Sequence, residues 1–320
     1  MCEGNESTVT EFFITGFKNI ENFKISLFIL FLLIYIVILL GNVFIIILVS
    51  TCHHLQVPMY LFLRNLSVAD LMFTTNIMPN MLYLIVMGGG DMSITGCFIQ
   101  YYVYCSSTYT QSLVLMVMAF DRYVAICHPL RYVALMNHKL CLHLTLWPWA
   151  ICFVLFPIEV ASLFQLRFCG SKIIEHYFCD LAPITAIASS DTSIVETEDL
   201  IFSIPLMLMP SVVVTISYFC IVMSILKISS IAGRWKAFST CSAHLTIIFI
   251  FFGTQITIYT FPVGEDTFYG KTVKSLLYTV LTPFINPIIY SMRNKEIKRA
   301  MRLLLSKKVK RTSGIHPMFS

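Results

Sequence analysis

Apolar residues gather along this chain in long runs, not in the narrow stripes of a helix with one wet face. The run from Ile25 to Val49 contains no charged residue. Others extend over about Tyr60–Met87, Cys97–Ile126, Leu140–Leu166, Ile201–Ile228, Ala237–Phe261 and Lys274–Met292. A helix rising about 1.5 Å per residue needs roughly 20 apolar residues to cross about 30 Å of hydrocarbon. Each run is near or beyond that length. The pattern predicts an all-α membrane protein, a bundle of seven transmembrane helices. It divides the chain into an N-terminal segment (1–24), the bundle (25–292) and a basic tail (293–320). No soluble domain, low-complexity tract or internal repeat interrupts this plan.

Composition agrees. The chain is 57% hydrophobic and only 12% charged, against about 25% charged in soluble domains, so lipid must solvate much of its surface. The net charge of +5 is concentrated after the last run, from Arg293 and Lys295 to Lys310 and Arg311. Basic residues directly after a span point to the cytoplasmic leaflet and its anionic lipids rather than to nucleic acid. With an odd number of spans, the N-terminus lies outside. Lys18 and Lys24 before the first span argue the other way, but the C-terminal bias is larger. The first residues lack a basic start and a short apolar core, so the first span is expected to direct insertion itself. In the tail, Ile297, Met301 and Leu304 or Leu305 recur at helical spacing, flanked by Lys295, Lys298, Arg299 and Arg302. That pattern predicts a short amphipathic helix along the inner leaflet.

Asn5-Glu6-Ser7 is a glycosylation sequon on the outer side, which nominates Asn5. Asn65-Leu66-Ser67 sits at a cytoplasmic end and is expected to stay unmodified. Of the 11 cysteines, Cys2, Cys97, Cys169 and Cys179 fall outside, where oxidation is allowed. The rest are read as small buried apolar residues. No cysteine or histidine spacing forms a metal site, and no nucleophile–base set argues for an enzyme. No cofactor is expected.

Polar groups inside lipid need partners. Asp70, Asn42 and Asn286 fall at similar depth and could meet around water or a small cation; a hydrogen-bonded cluster without an ion is the preferred alternative. Asp121-Arg122-Tyr123 ends the third span at the cytoplasmic face, where Asp121 can neutralise Arg122. Glu159 and His244 are further ionisable residues within spans. Local hydrogen bonding is preferred for both over a proton-linked switch. Prolines at 148, 157, 205, 210, 283 and 287 each remove a backbone donor within a span, and Asn286-Pro287 beside Tyr290 is a candidate hinge.

Several motifs in order carry a specific resemblance. They are Gly41-Asn42; Pro58-Met59-Tyr60-Leu61-Phe62-Leu63 with Leu66-Ser67 and Asp70; and Met118-Ala119-Phe120-Asp121-Arg122-Tyr123-Val124-Ala125-Ile126-Cys127. Ser217-Tyr218, Lys236-Ala237-Phe238-Ser239-Thr240-Cys241-Ser242-Ala243-His244 and Pro283-Phe284-Ile285-Asn286-Pro287-Ile288-Ile289-Tyr290 complete them. Together they resemble the signatures of odorant receptors, a branch of the rhodopsin-like G-protein-coupled receptors. The chain departs at Phe120, where the family has Tyr, and at Ser189, where it has the Cys that would pair with Cys169. A free thiol is therefore expected at Cys169; pairing with Cys2 is the alternative. Phe252 stands where many rhodopsin-like receptors have Trp.

The resemblance implies a multi-pass receptor of the plasma membrane. Its partners would be a small, mostly apolar odorant, the lipid bilayer and a heterotrimeric G protein of the stimulatory olfactory type, raising cyclic AMP; nucleic acid is not expected. It implies a Cys97–Cys179 disulfide. It also implies switch and coupling roles for Asp121, Arg122, Tyr123, Tyr218, His244, Asn286, Pro287 and Tyr290. Tyr101, Cys105, Thr108 and Ser112 share one helical face, flanked by Tyr104 and Tyr109. Family positions add Phe202, Leu206, Phe252, Gln255, Tyr259, Leu276 and Thr279 to the ligand set. That set holds no carboxylate, which argues against charged amines as ligands. A non-olfactory chemosensory receptor is the nearest alternative. A transporter is disfavoured because the halves are unrelated and the charges are few.

Overall fold

The structure, a computed structural model, describes residues 9–260, 268–294 and 296–302. Six long helices and one composite helix form the bundle. They are α1 (Lys24–Thr51), α2 (Pro58–Met87), α3 (Ile94–Cys127), α5 (His138–Leu163), α7 (Ser193–Leu226) and α8 (Ile231–Thr260). The seventh comprises α9 (Phe268–Leu276), a π-helical turn (Leu277–Leu281) and α10 (Thr282–Arg293). Between them lie α4 (Pro129–Leu135) at the C-terminal end of α3, called the inner end below, and α6 (Leu181–Ala186) toward its N-terminal end, called the outer end. Among the described residues, four helices are long and apolar enough to cross a membrane alone: α1 with its preceding turn, α3, α5 and α7. A bent pair within α8, at 48°, makes a fifth. α2 has the length but carries Arg64 and Asp70, and the π-turn divides the last span.

Local chemistry sets the helix ends. Pro58 opens α2, where its missing N–H is no loss, and Gly88 closes it at φ 76° in the left-handed region. Ser93 caps α3 by accepting from the Gly96 N–H at 3.1 Å, and Asn137 caps α5 through Leu140 at 2.9 Å.

α3 is the central column. Every residue from Cys105 to Ala119 is buried, because α2, α5 and α7 pack around it. α1 has the opposite environment: Leu40 is 66% exposed and Ile47 52%, as expected of a helix that faces lipid. Polar cross-links join the helices where water is absent. Asn76 Nδ2 donates to the Gln100 carbonyl at 2.8 Å and Gln100 Nε2 to the Asn76 carbonyl at 3.0 Å, tying α2 to α3.

Outside the bundle the chain forms a feature that the apolar runs did not predict, a three-stranded sheet. β1 (Glu11–Ile14) is its central strand, antiparallel to β2 (Gly90–Ser93) and parallel to β3 (Ile173–Ile174). Phe12 and Ile14 are fully buried beneath it, and the ring of Phe17 stacks on Tyr177 at 5.3 Å between centroids. The Cys97–Cys179 disulfide fastens the long outer loop to the top of α3, and the Cys179 N–H donates to Gln100 Oε1 at 2.9 Å.

Two expectations need correction. Cys169 is disulfide-bonded, not a free thiol; its partner lies outside the described residues, as do Cys2 and Asn5. Ser189 still sits beside it: its Oγ accepts from the Cys169 N–H at 2.9 Å and donates to the Cys169 carbonyl at 2.8 Å. The fifth span begins at Ser193, two helical turns above the expected start near Ile201. Pro283 lies within the seventh helix, in the first turn after the π-turn, and a further proline, Pro79, sits inside α2. In the tail, residues 296–302 are helical with Ile297 and Ala300 buried; Leu304, Leu305 and the basic residues after them lie outside the described residues.

Gly41 of α1 meets the last helix. A Cβ built there would stand 2.8 Å from Pro287 Cβ and 3.0 Å from its Cγ. Gly41→Ala is expected to cost about 1–3 kcal/mol through overpacking. Thermal unfolding of the purified protein in detergent checks this; an unchanged midpoint would contradict the close approach. Cys169 is expected to resist alkylation in the native protein and to react only after reduction, which peptide mapping by mass spectrometry reads directly.

Candidate functional site

The bundle carries two cavities at opposite ends of α3. The outer one, of about 510 Å³, is lined by Tyr101, Tyr104, Cys105, Thr108 and Tyr109 of α3. Opposite them stand Asp180, Leu181, Ala182 and Thr185 of the outer loop, Glu196, Asp199, Leu200 and Met207 of α7, Gln255 of α8 and Tyr278 of the π-turn. The volume is that of a small-molecule site.

The helical spacing along α3 therefore places five of its six expected residues in the cavity. The sixth, Ser112, lies deeper and donates to the Leu206 carbonyl at 3.3 Å, joining α3 to α7. Of the remaining candidates, Gln255 lines the cavity. Phe202 packs edge-on against Phe156, and Phe252 edge-on against Phe251. Leu206 is buried at the α3–α7 seam, and Leu276 is half-buried outside the lining. Thr279 bonds the outer loop instead, through Tyr177 Oη at 2.8 Å. The side chain of Tyr259 lies outside the described residues.

The misses have physical causes. A π-turn inserts one residue and rotates the rest of the helix by about a quarter turn, and Tyr278 within it lines the cavity, whereas the family positions had named Leu276 and Thr279. Tyr278 Oη lies 3.2 Å from Tyr104 Oη and accepts its proton. The upward extension of α7 brings Glu196 and Asp199 to the lining, and the outer loop delivers Asp180. The expected set held no carboxylate; the cavity holds three, which removes the ground for excluding amines.

Asp180 Oδ1 accepts from the Leu181 N–H at 2.9 Å, capping α6. Burial raises its carboxyl to about 6, with the Leu181 N–H opposing and Asp199 adding to the rise. Beside the cavity, Tyr101 Oη donates to Glu159 Oε1 at 2.5 Å across the α3–α5 interface. Glu159 is fully buried, and its Oε2 has no partner among the described residues.

The inner cavity, about 460 Å³, is lined by Val57, Met59, Tyr60, Arg122, Ala232, Trp235, Lys236, Ser239, Ala243, His244, Tyr290, Asn294 and Glu296. Arg122 donates to Asp121 Oδ2 from Nε at 3.0 Å and from a terminal nitrogen at 2.6 Å. Tyr132 of α4 donates to the other oxygen of Asp121 at 2.8 Å. Asp121, fully buried, is thus satisfied on both oxygens, and the guanidinium is held against its own helix. Tyr218 Oη lies 2.8 Å from His244 Nδ1, linking α7 to α8. Among the described residues, Tyr290 Oη reaches only the sulfur of Met118, at 4.0 Å. Tyr123 turns away to His128, at 3.1 Å.

Between the cavities, Asn286 Nδ2 donates to Asp70 Oδ2 at 2.9 Å. Asn42 bonds its own helix at the Ile38 carbonyl, at 3.0 Å. Asp70 Oδ1 and Asn42 Oδ1 are buried with no partner among the described residues. Two of the three members of the expected polar cluster are joined directly, and the third is not.

Comparisons with known proteins bear on both cavities. A family model described as olfactory receptor matches residues 31–308. The chain is 40% identical over 312 residues to human "Olfactory receptor 1S1", covering 97% of this chain and 95% of that one. It is 39% identical over 309 residues to chicken "Olfactory receptor-like protein COR4", covering 97% and 99%. In three dimensions it resembles squid rhodopsin with a TM-score of 0.71 at 18% identity, over 88% of this chain and 80% of that one. This last likeness concerns the fold alone.

Tyr101→Phe is expected to destabilise the protein by about 1–3 kcal/mol, because it leaves a fully buried carboxyl without its donor. Tyr102→Phe, whose hydroxyl bonds the half-exposed Phe153 carbonyl at 3.2 Å, should cost less. Thermal denaturation of the two variants side by side decides; equal losses would count against the Glu159 interaction.

Proposed function

The chain belongs to the olfactory receptor family, with the rhodopsin-like fold of a multi-pass membrane protein, and from that premise we propose that it is an odorant receptor of the plasma membrane. It takes a small, largely hydrocarbon molecule into the outer cavity and activates a heterotrimeric G protein, of the stimulatory olfactory type, at the inner one. The response is a rise in cyclic AMP.

One observation carries this reading: a ligand-sized cavity and a cavity holding a caged arginine stand at opposite ends of the same buried helix. In the geometry described, the Asp121–Arg122 pair keeps the guanidinium from a docking protein, so this is the resting arrangement. A ligand that binds the open arrangement more tightly shifts the balance by that difference in affinity and no more. Tenfold requires about 1.4 kcal/mol. Outward movement of the inner end of α8 would part His244 from Tyr218 and uncover Arg122. The unfilled hydroxyl of Tyr290 then gains access to polar partners. Asn286-Pro287, packed on Gly41 and bonded to Asp70, is the joint about which α10 would adjust.

Receptor reconstituted with a stimulatory G protein should accelerate nucleotide exchange when members of a diverse odorant library are added. Asp121→Asn, which removes the charge that holds Arg122, should raise ligand-free exchange about tenfold. A charge-assisted hydrogen bond is worth about 1.5–3 kcal/mol, enough for such a shift. No exchange with any odorant, together with unchanged basal exchange in Asp121→Asn, would sink the proposal.

A further inference from the structure

The wall of the outer cavity is chemically one-sided. Asp180, Glu196 and Asp199 all contribute to it, and among the described residues no lysine or arginine does. Each carboxylate is bonded only to a neutral donor: Asp199 Oδ1 to Ser203 Oγ at 2.6 Å, Glu196 Oε1 to Thr192 Oγ1 at 2.7 Å, and Asp180 Oδ1 to the Leu181 N–H. None forms an ion pair among the described residues, and the second oxygen of each is unspent. Opposite them, Gln255 is more than nine-tenths buried, lines the cavity and makes no hydrogen bond among the described residues. Its amide opens onto the cavity and can pair with a polar group supplied from outside. Around these groups the lining is aromatic, with Tyr101 and Tyr104 presenting ring surface beside Cys105 and Thr108.

The arrangement is a poor fit to three of the four obvious ligand classes. A carboxylic acid would meet like charge. A neutral hydrocarbon would leave the spare carboxylate oxygens and the Gln255 amide unanswered. A metal ion needs ligands converging on one point, and among the described residues no three His, Cys, Asp or Glu side chains do so. Carboxylates and tyrosine rings lining the same cavity suit a charge attached to a hydrocarbon body.

We propose that the outer cavity selects a protonated organic amine, its ammonium paired with Asp199 in the negative potential to which Glu196 and Asp180 add, and its hydrocarbon body lying against Tyr101 and Tyr104. The inference rests on the cavity being the ligand site of the receptor described above. An ammonium offers donors to acceptor-only groups, and the Gln255 carbonyl oxygen accepts one more. Aromatic faces attract the same charge. Burial and the like charge of Asp199 hold the Asp180 carboxyl up toward neutrality, and an entering cation relieves the second of these. The α7 extension that carries Glu196 and Asp199 thus sets specificity.

The test uses the full-length receptor in lipid nanodiscs at neutral pH, titrated with hexylamine, hexanol and hexanoic acid, with binding read from thermal stabilisation. Hexylamine should bind about tenfold or more tightly than hexanol, and hexanoic acid least. Asp199→Asn and the double variant Glu196→Gln/Asp199→Asn should each weaken hexylamine about tenfold while leaving hexanol unchanged; both replace only charge at sites with little packing. Their melting temperatures without ligand show that they fold. Hexanol binding as tightly as hexylamine, or hexylamine affinity indifferent to both variants, overturns the inference. Hexylamine binding without accelerated nucleotide exchange leaves this inference standing and counts instead against the receptor function. Absence of binding by all three compounds overturns the inference, while exchange driven by other odorants would still uphold the receptor.

Discussion

Hydrocarbon offers no hydrogen bonds, and that single constraint shapes the molecule. It forces the backbone into helices, because every buried N–H and C=O must be satisfied within its own segment. It also makes each polar side chain in the interior seek a partner on a neighbouring helix. The pairs Tyr101–Glu159, Asn76–Gln100, Asn286–Asp70 and Tyr218–His244 are the result. Each joins two different elements, so the bundle is held in register by contacts that fix direction as well as proximity. Apolar packing alone, with lipid as competitor, would leave more freedom to slide.

The two ends of α3 use this constraint differently. At the inner end the charges are closed on one another: Asp121 is satisfied by Arg122 and Tyr132, and the helix ends in a compact knot. At the outer end they are left open. Among the described residues, Asp180, Glu196 and Asp199 keep spare oxygens at the cavity and Gln255 has no partner. A bundle locked below and unsatisfied above is biased to respond to something arriving from above. The energy available for that response is limited to what the newcomer supplies.

Much of this was legible in the sequence because it follows from composition over long windows. Spans that need about twenty apolar residues cannot hide, and of the face spaced along α3, Tyr101, Cys105 and Thr108 line the outer cavity. The motif around Asp121 and Arg122 gave the lower lock before any geometry. What could not be read shares one property: it depends on chain outside the apolar runs, or on a break in helical regularity. Glu196 and Asp199 lie in a polar stretch that hydropathy assigns to a loop, yet α7 begins there. Tyr278 was displaced by a π-turn that leaves no trace in residue type. Asp180 reached the cavity because the Cys97–Cys179 bond folds the outer loop inward. The tie at Cys169 ran against the loss of its family partner, for which Ser189 substitutes only hydrogen bonds.

The outer sheet has a consequence for biosynthesis. Its central strand, Glu11–Ile14, leaves the ribosome before both of its neighbours, and its parallel partner at Ile173–Ile174 emerges only after four spans have been made. Such distant pairings close slowly, since the intervening chain must first be arranged. Until then Phe12 and Ile14 have no cover. A segment made early is therefore among the last to settle, and a chaperone would find an exposed client there during translation.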